Sequence, residues 1–325
     1  MDLIYMNSAM EELGVLLDYE LDLAFGCDEN NFECRVNEGS HCCEAGYYLY
    51  IEGTEYGGII DSIEHDTEKG EIVYSGRTWH GILNSRILAP MSGFDYLNAN
   101  NLAIDNAITR VIKQLNLDFL FTVDEQYMEN TGTYQFPRYI GGYDGLVHML
   151  DKYTRKLTVS YRDGRVVLSS AEKRGYFTDT DDEFDSDLVD FCVKKNVNSV
   201  NHLICLGSGE LKDRMIVHLY VDPFVGITQT PSEYFVSRGE YAAVYDFPNV
   251  ESEDELIAAG TDRLLELWNQ DELTITLDDE ADNYDVGDRV GAYDNVTGTT
   301  ITAEITKKIV TIKNGAVNIS YEVGA

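Results

Sequence analysis

Basic residues are scarce in this chain, and prolines scarcer still. Its 325 residues hold 24 Lys and Arg against 58 Asp and Glu, a formal net charge of −34. A surface this acidic repels phosphate backbones, which excludes tight nucleic-acid binding, and it repels anionic membrane surfaces equally. It suits a soluble protein, or a conduit through which a polyanion passes without adhering. With only 5 prolines and 27 glycines, the chain is not dominated by linkers. Nothing approaches the ~18 uninterrupted apolar residues of a membrane span. Met1 to Tyr19 carries Asp2, Glu11, Glu12 and Asp18 where a secretion signal needs a basic start and an apolar run, so no leader is expected.

Motifs for chemistry are missing as well. No HExxH or G-x-S-x-G occurs, and His41, His65, His80, His148, His202 and His218 are scattered without a nucleophile motif beside them. The 6 cysteines, at 27, 34, 42, 43, 192 and 205, read as reduced thiols. Cys27, Cys34, His41, Cys42 and Cys43 are soft ligands, but no C-x-x-C knuckle is present. Cys42 and Cys43, being adjacent, point to opposite faces of an extended chain. The acidic run from Thr178 to Asp190 puts Asp179, Asp181, Glu183 and Asp190 at positions 1, 3, 5 and 12 of a calcium loop. Phe184 stands where that loop needs glycine, so the run reads as a solvated connection. Gly207-Ser208-Gly209 lies between two strands, and Lys212 is outside any GK(S/T) context, so this is a turn and not a phosphate cradle. Among 58 carboxylates, a close acid pair carries little information about hydrolysis. No catalytic, cofactor-binding or metal-ligating residue is assigned, no cofactor is expected, and the chain reads as a non-enzyme.

What is present is core-forming material. Hydrophobic residues make up 44 %, including 22 Tyr and 12 Phe. Tyr47 to Ile51, Gly57 to Glu64 and Glu71 to Ser75 read as strands, the last two joined through Glu68-Lys69-Gly70. Trp79, Ile82, Leu83 and Ile87 then fall at helical spacing, with Thr78 as cap and Pro90 as stop. Ile104, Ile108, Val111, Ile112 and Leu115 form a second helical stripe, capped by Asn100 or Asn101. A third helix runs from Asp144 through Leu150 to Tyr153. Leu157 to Tyr161 and Val166 to Ser169 read as a hairpin with Asp163-Gly164 at the turn. Two strands follow, Val200 to Leu206 and Met215 to Asp222. From Ser252 to Trp268, a capping box of Ser252 and Glu255 opens a helix whose buried stripe is expected at Ile257, Leu264, Leu265 and Trp268. Strands are expected again at Leu273 to Leu277, Arg289 to Tyr293, Thr300 to Lys307 and Ile309 to Ile312, then Val317 to Val323 beyond an Asn314-Gly315 turn. The two ends of the chain show a similar strand order around a mixed middle. The fold class is therefore α+β and β-rich.

Three segments carry a resemblance. One is Glu71-Ile72-Val73-Tyr74-Ser75-Gly76-Arg77-Thr78-Trp79 and the helix after it. Another is Leu206-Gly207-Ser208-Gly209-Glu210-Leu211-Lys212-Asp213-Arg214 with Val217-His218-Leu219-Tyr220. The last is Tyr284-Asp285-Val286-Gly287-Asp288 with Ile305-Thr306-Lys307-Lys308. Together they resemble the siphophage ReqiPepy6-type (Gp37-like) tail proteins, grouped with tail-tip or baseplate hubs. The resemblance implies a homotrimer whose subunits each give two tube-type antiparallel β-barrels to a ring continuing the tail tube. It implies docking to distal-tail and tape-measure proteins, with DNA passing through the lumen without specific binding. The layout it suggests is a first barrel at 1–97, an α+β middle at 98–190 and a second barrel at 191–325 with an inserted helix at 252–269. Location at the virion tail tip, after synthesis in the bacterial cytoplasm, follows from the same likeness. Many relatives carry a C-terminal lytic or receptor-binding extension. Ala325 follows the last hairpin directly, so a cell-wall hydrolase or host-binding tail protein is the alternative and not the expectation.

Overall fold

A computed structural model describes residues 1–124, 132–176, 184–185, 191–194, 200–222, 225–248, 250, 252–268, 272–275, 284–294 and 299–324. The chain divides into two compact units, Met1–Phe191 with Thr274–Gly324, and Cys192–Leu273. Of the stretches expected as domains, 1–97 and 98–190 fall in the first unit, and 191–325 contributes to both. The β-rich α+β class holds, with mostly antiparallel sheets and five α-helices among the described residues. The acidic run is outside the described residues apart from Phe184 and Asp185.

The first unit is organised by one long sheet. Its N-terminal strands are β1 (Leu3–Met6), β2 (Glu12–Leu16), β3 (Tyr19–Gly26), β4 (Asn31–Asn37), β5 (Tyr48–Tyr50), β6 (Gly57–Asp66) and β7 (Glu71–Thr78). From Ala316–Gly324 the order runs through Thr299–Lys313 to β3, β4, β7, β6, β5, β1 and β2. β4 shows why: Phe32, Cys34 and Val36 are buried while Asn31, Glu33 and Asn37 are exposed, the period-two pattern of a strand with one face in the core. Those three pack with Leu21, Leu23 and Phe25 of β3 and with Val310 and Ile312.

The strands at the two ends of the chain are thus neighbours. Thr300 to Lys307 and Ile309 to Ile312, expected as two strands, form a single strand of 15 residues. Its first half pairs with Arg289–Asp294 and its second half with β3. The register slips between Ile305 and Lys307. At that slip the Cys27 amide donates to the Thr306 carbonyl at 3.0 Å. A Cβ on Gly26 would sit 2.1 Å from the same oxygen, so only glycine fits there.

A second core lies over the other elements of this unit. Helices α1 (Trp79–Asn84), α2 (Ile104–Gln114) and α3 (Gly142–Asp151) pack with the hairpin Arg155–Arg162/Arg165–Glu172, whose Asp163 and Gly164 both have positive φ as the turn signal requires. Trp79 and Tyr161 stack at 5.6 Å, and Tyr50 lies 3.9 Å from Tyr161. α1 is shorter than its sequence suggests. Thr78 caps it, accepting from the Gly81 amide. It stops at Asn84, whose side chain exchanges hydrogen bonds with Asp144 at the start of α3. Ile87–Leu88 then pairs as a strand with Ile140–Gly141. Neither Asn100 nor Asn101 caps α2: Asn100 is in a strand and Asn101 has a φ of 53°, outside the extended region an N-cap adopts. Ala103 takes the cap position without a side-chain bond.

The second unit is a four-stranded sheet, Gly226–Thr228, Ile216–Asp222, His202–Leu206 and Ala242–Asp246 in that order. It carries α4 (Glu233–Arg238) and α5 (Glu253–Trp268). The expected cap is present, since Ser252 Oγ accepts from the Glu255 amide at 3.2 Å. The buried stripe differs. Leu256, Gly260 and Leu264 face the sheet, whereas Leu265 is 40 % exposed and Ile257 and Trp268 are only partly covered. Gly260 decides this rotation. A Cβ there would come 2.5 Å from Cys205 Sγ and 2.8 Å from Leu219 Cδ1, so the helix approaches the sheet through its glycine. Gly260→Leu is expected to cost about 1–3 kcal/mol by overpacking. Hydrogen-exchange mass spectrometry should place the loss in 200–222 and 252–268. Unchanged exchange there would refute the close approach.

Candidate functional site

The richest polar arrangement in the first unit is a chain of alternating charges. It runs from Asp288 through Lys156, Asp285 and Lys308 to Glu55. Lys156 Nζ donates to Asp288 Oδ2 at 2.7 Å and to Asp285 Oδ2 at 3.0 Å. Lys308 Nζ reaches Asp285 Oδ1 at 3.5 Å and Glu55 Oε1 at 2.7 Å. Beyond Glu55 stands His80, its Nε2 at 3.9 Å from Glu55 Oε2. Five segments supply these side chains: the β5–β6 turn, α1, the strand Arg155–Arg162, the loop 284–288 and the long strand Thr299–Lys313.

Local sequence sets each position. Gly287, at a φ of 95°, turns the 284–288 loop, and its amide donates to the Ile305 carbonyl at 2.8 Å. The Asp285 amide in turn donates to Asp288 Oδ2. Along the long strand, Lys307 binds Glu29 and Glu322 while Lys308 turns to the opposite face and is buried.

Burial pushes His80 down to about 3, and Lys308 adds to the effect. His80 is therefore a neutral imidazole, stacked on Phe25 at 4.8 Å with the Tyr143 ring edge-on at 5.3 Å. Burial opposes the charge on Lys308, but Glu55, Tyr56 and Asp285 outweigh it and hold the ammonium above its usual range. For Asp285, burial is likewise outweighed by Lys308 and Lys156, and its carboxyl lies below the ordinary range. Burial raises Glu55 with Lys308 pulling against it. Beside Glu55 and His80 lies a cavity of about 270 Å³, walled by Phe25, Tyr56, Tyr143, Leu157 and Val286.

In sequence these groups carried no chemical signal, although Asp285, Asp288 and Lys308 lie in a segment that carried the resemblance. Glu55 and Lys308 are 253 positions apart. The residues that did have a signal are placed elsewhere. Cys42 is exposed and Cys43 buried, with sulfurs 3.7 Å apart, and His41 Nδ1 and Tyr74 Oη lie 2.9 Å apart. Among the described residues, no three His, Cys, Asp or Glu side chains converge as metal ligands. Asp179, Asp181, Glu183 and Asp190 lie outside the described residues. Gly207-Ser208-Gly209 is a strand-to-strand turn in which Gly209 has a φ of 99°. In the second unit His202 joins Glu240 through Nδ1 and His218 through Nε2, the latter at 2.9 Å.

The three segments that carry the resemblance each close a structural joint. Gly76 lies against the irregularity of β6, where a Cβ would meet the Ile59 carbonyl oxygen at 1.9 Å. Arg77 clamps Asp61 with Nε at 2.8 Å and Nη2 at 2.7 Å, and reaches Ser85 Oγ beyond α1. Arg214 ties its turn shut on the Gly207 carbonyl and on Asp246. The third segment builds the charge chain.

No protein-family model matches the sequence, and a search of curated proteins returns no match. Solved structures do match. A tail protein from Neisseria meningitidis aligns over 100 % of this chain and 96 % of its own, at a TM-score of 0.53 and 14 % identity. The 43 kDa tail protein of prophage MuSo2 from Shewanella oneidensis aligns over 99 % of this chain and 98 % of its own, at 0.56 and 12 % identity. The chain has the fold of these tail proteins. The likeness covers this chain nearly end to end. No described helix is long and apolar enough to cross a membrane.

Proposed function

We propose that this chain is a non-enzymatic structural component of a phage or prophage tail, and within the tail the tip or baseplate hub. The observation that carries the reading is full-length correspondence: both tail proteins are matched over nearly all of their own length as well as of this chain. A fold hosts many functions, so the argument also leans on how the side chains are used. The segments resembling siphophage tail proteins are spent on joints of the fold.

In this reading the chain assembles as a homotrimer, and tube-type barrels drawn from its strand-rich regions continue the tail tube. It adapts that tube to a threefold tip, docks distal-tail and tape-measure proteins and gates DNA exit. The excess of 34 negative charges keeps a DNA conduit from holding its cargo. Membership in the ReqiPepy6-type group belongs to the same proposal.

Immunogold electron microscopy of intact particles, with antibody raised against this chain, tests it. Label confined to distal tail tips is expected, and deletion of the gene should yield particles without completed tips. Label on capsids, along tail sides or on no particle would overturn the hub assignment.

A further inference from the structure

The cavity beside Glu55 is built to receive something. The charge chain begins and ends in a carboxylate, so three carboxylates face two ammonium groups. Glu55 is the end that opens on the cavity. Its Oε1 takes Lys308, while among the described residues Oε2 has only His80 Nε2 nearby, at 3.9 Å. A second observation points the same way. His80 is 4 % exposed and lines the cavity, and its Nδ1 meets no hydrogen-bond partner among the described residues. Nε2 lies beyond hydrogen-bond reach of Glu55, so with the proton on the enclosed Nδ1 the nitrogen beside Glu55 is a bare acceptor. A buried acceptor without a donor costs about 1–3 kcal/mol, which makes it uncommon in a site with no use for it.

The walls narrow the ligand further. Phe25, Tyr56 and Tyr143 present aromatic surface, Leu157 and Val286 an apolar floor, and Lys308 Nζ already lies 5.7 Å and 5.8 Å from the Phe25 and Tyr56 ring centres. An anion would face an unbalanced carboxylate, and a neutral apolar group would leave both acceptors unmet. Lys308 repels an incoming cation, yet its own charge is shared by Glu55 and Asp285. A planar cation with several N–H donors on a short apolar stem suits these walls: donors to Glu55 Oε2 and His80 Nε2, which lie 3.9 Å apart, π-faces to the aromatic rings, methylenes to Leu157 and Val286.

We propose that this cavity is a binding site for an alkylguanidinium group, anchored by Glu55 and His80. The group comes either from a free alkylguanidine or from an arginine of another copy of this chain. The site does not depend on the assignment to a tail.

Titration calorimetry of the full chain with n-butylguanidinium tests it, with neutral n-butylurea as the shape control. Saturable binding of the first and none of the second is expected. Glu55→Gln should weaken binding at least about tenfold, the loss of one charged hydrogen bond. Because Glu55 also holds Lys308, Leu157→Trp serves as an independent variant that fills the cavity and leaves the charges intact; it should abolish binding. Sedimentation separates the two sources. If a neighbour's arginine occupies the site, saturating n-butylguanidinium lowers the oligomer's sedimentation coefficient, and if a free ligand does, the coefficient is unchanged. No saturable binding, equal binding of the urea, or binding untouched by Leu157→Trp would each overturn the proposal.

Discussion

Lys156→Met is expected to destabilise the first unit by about 3–5 kcal/mol, the range for leaving a buried carboxylate without its cation. Asp288 is fully buried. Its Oδ2 accepts from Lys156 Nζ at 2.7 Å and from the Asp285 amide at 3.1 Å, and its Oδ1 accepts from the Arg174 amide at 2.9 Å. The two amides cannot offset a full negative charge in a low-dielectric surround. Asp285 loses a partner in the same substitution, which adds to the cost. By calorimetry the transition of the first unit should fall by about 10 °C, at roughly 2–4 °C per kcal/mol for a domain of this size. Adding Asp288→Asn removes the stranded charge and keeps an acceptor for the Arg174 amide. The double variant should therefore recover more than half of the loss. A single-variant loss under about 1 kcal/mol would show the pair to behave as a solvated surface bridge, whose usual worth is no more than that.

What made the fold legible in the sequence was local. Asp163-Gly164 and Asn314-Gly315 each hold two consecutive residues at positive φ, a demand that few residue pairs meet, so both hairpins could be placed from the dipeptide alone. Ser252 and Glu255 marked the start of α5 in the same way. What failed was non-local. The long strand Thr299–Lys313 reads as two strands because Lys307-Lys308 interrupts its apolar pattern, and its continuity shows only in the pairing, where Ala316–Gly324 bonds to both sides of the register slip. α1 loses its last turn to a strand pairing with Ile140–Gly141, which helical periodicity at Ile87 could not reveal. On α5, the sequence pointed to the large side chains, whereas the contact was set by Gly260, a residue conspicuous only for what it lacks.

The candidate site was illegible for a further reason. Lysine and aspartate in an acidic chain read as surface, since single sequences give no measure of burial. Lys307-Lys308 illustrates the difficulty: two identical neighbours, one partly buried and bound to Glu29 and Glu322, the other inserted beneath the sheet against Glu55. Alternation along a strand predicts that they part, but not which one goes inward. The segments quoted for the resemblance did contain Asp285, Asp288 and Lys308. They were recognisable as a pattern before their contacts gave that pattern a physical reason.

His80 should make the first unit sensitive to acid with a slope that one substitution removes. In an unfolded chain the imidazole titrates near its ordinary value of ~6.5. In the fold, burial and Lys308 hold it down to about 3. A base with a lowered folded value binds fewer protons in the native state than in the unfolded one, so its contribution is intact above about pH 6.5 and is lost as the pH falls toward 3. The loss is about 1.4 kcal/mol per pH unit and reaches roughly 5 kcal/mol across the window. Asp285, held low, also loses stability on acidification, at the acid end of the range, whereas Glu55, held high, shifts the balance the other way. Neither is altered directly by His80→Phe, which keeps an aromatic ring against Phe25 and Tyr143. Urea unfolding of both proteins between about pH 6 and pH 4 should show the wild-type slope steeper by close to one proton. Equal slopes would mean that the imidazole is hydrated in the fold, and that the cavity beside it admits water freely enough to carry a charge.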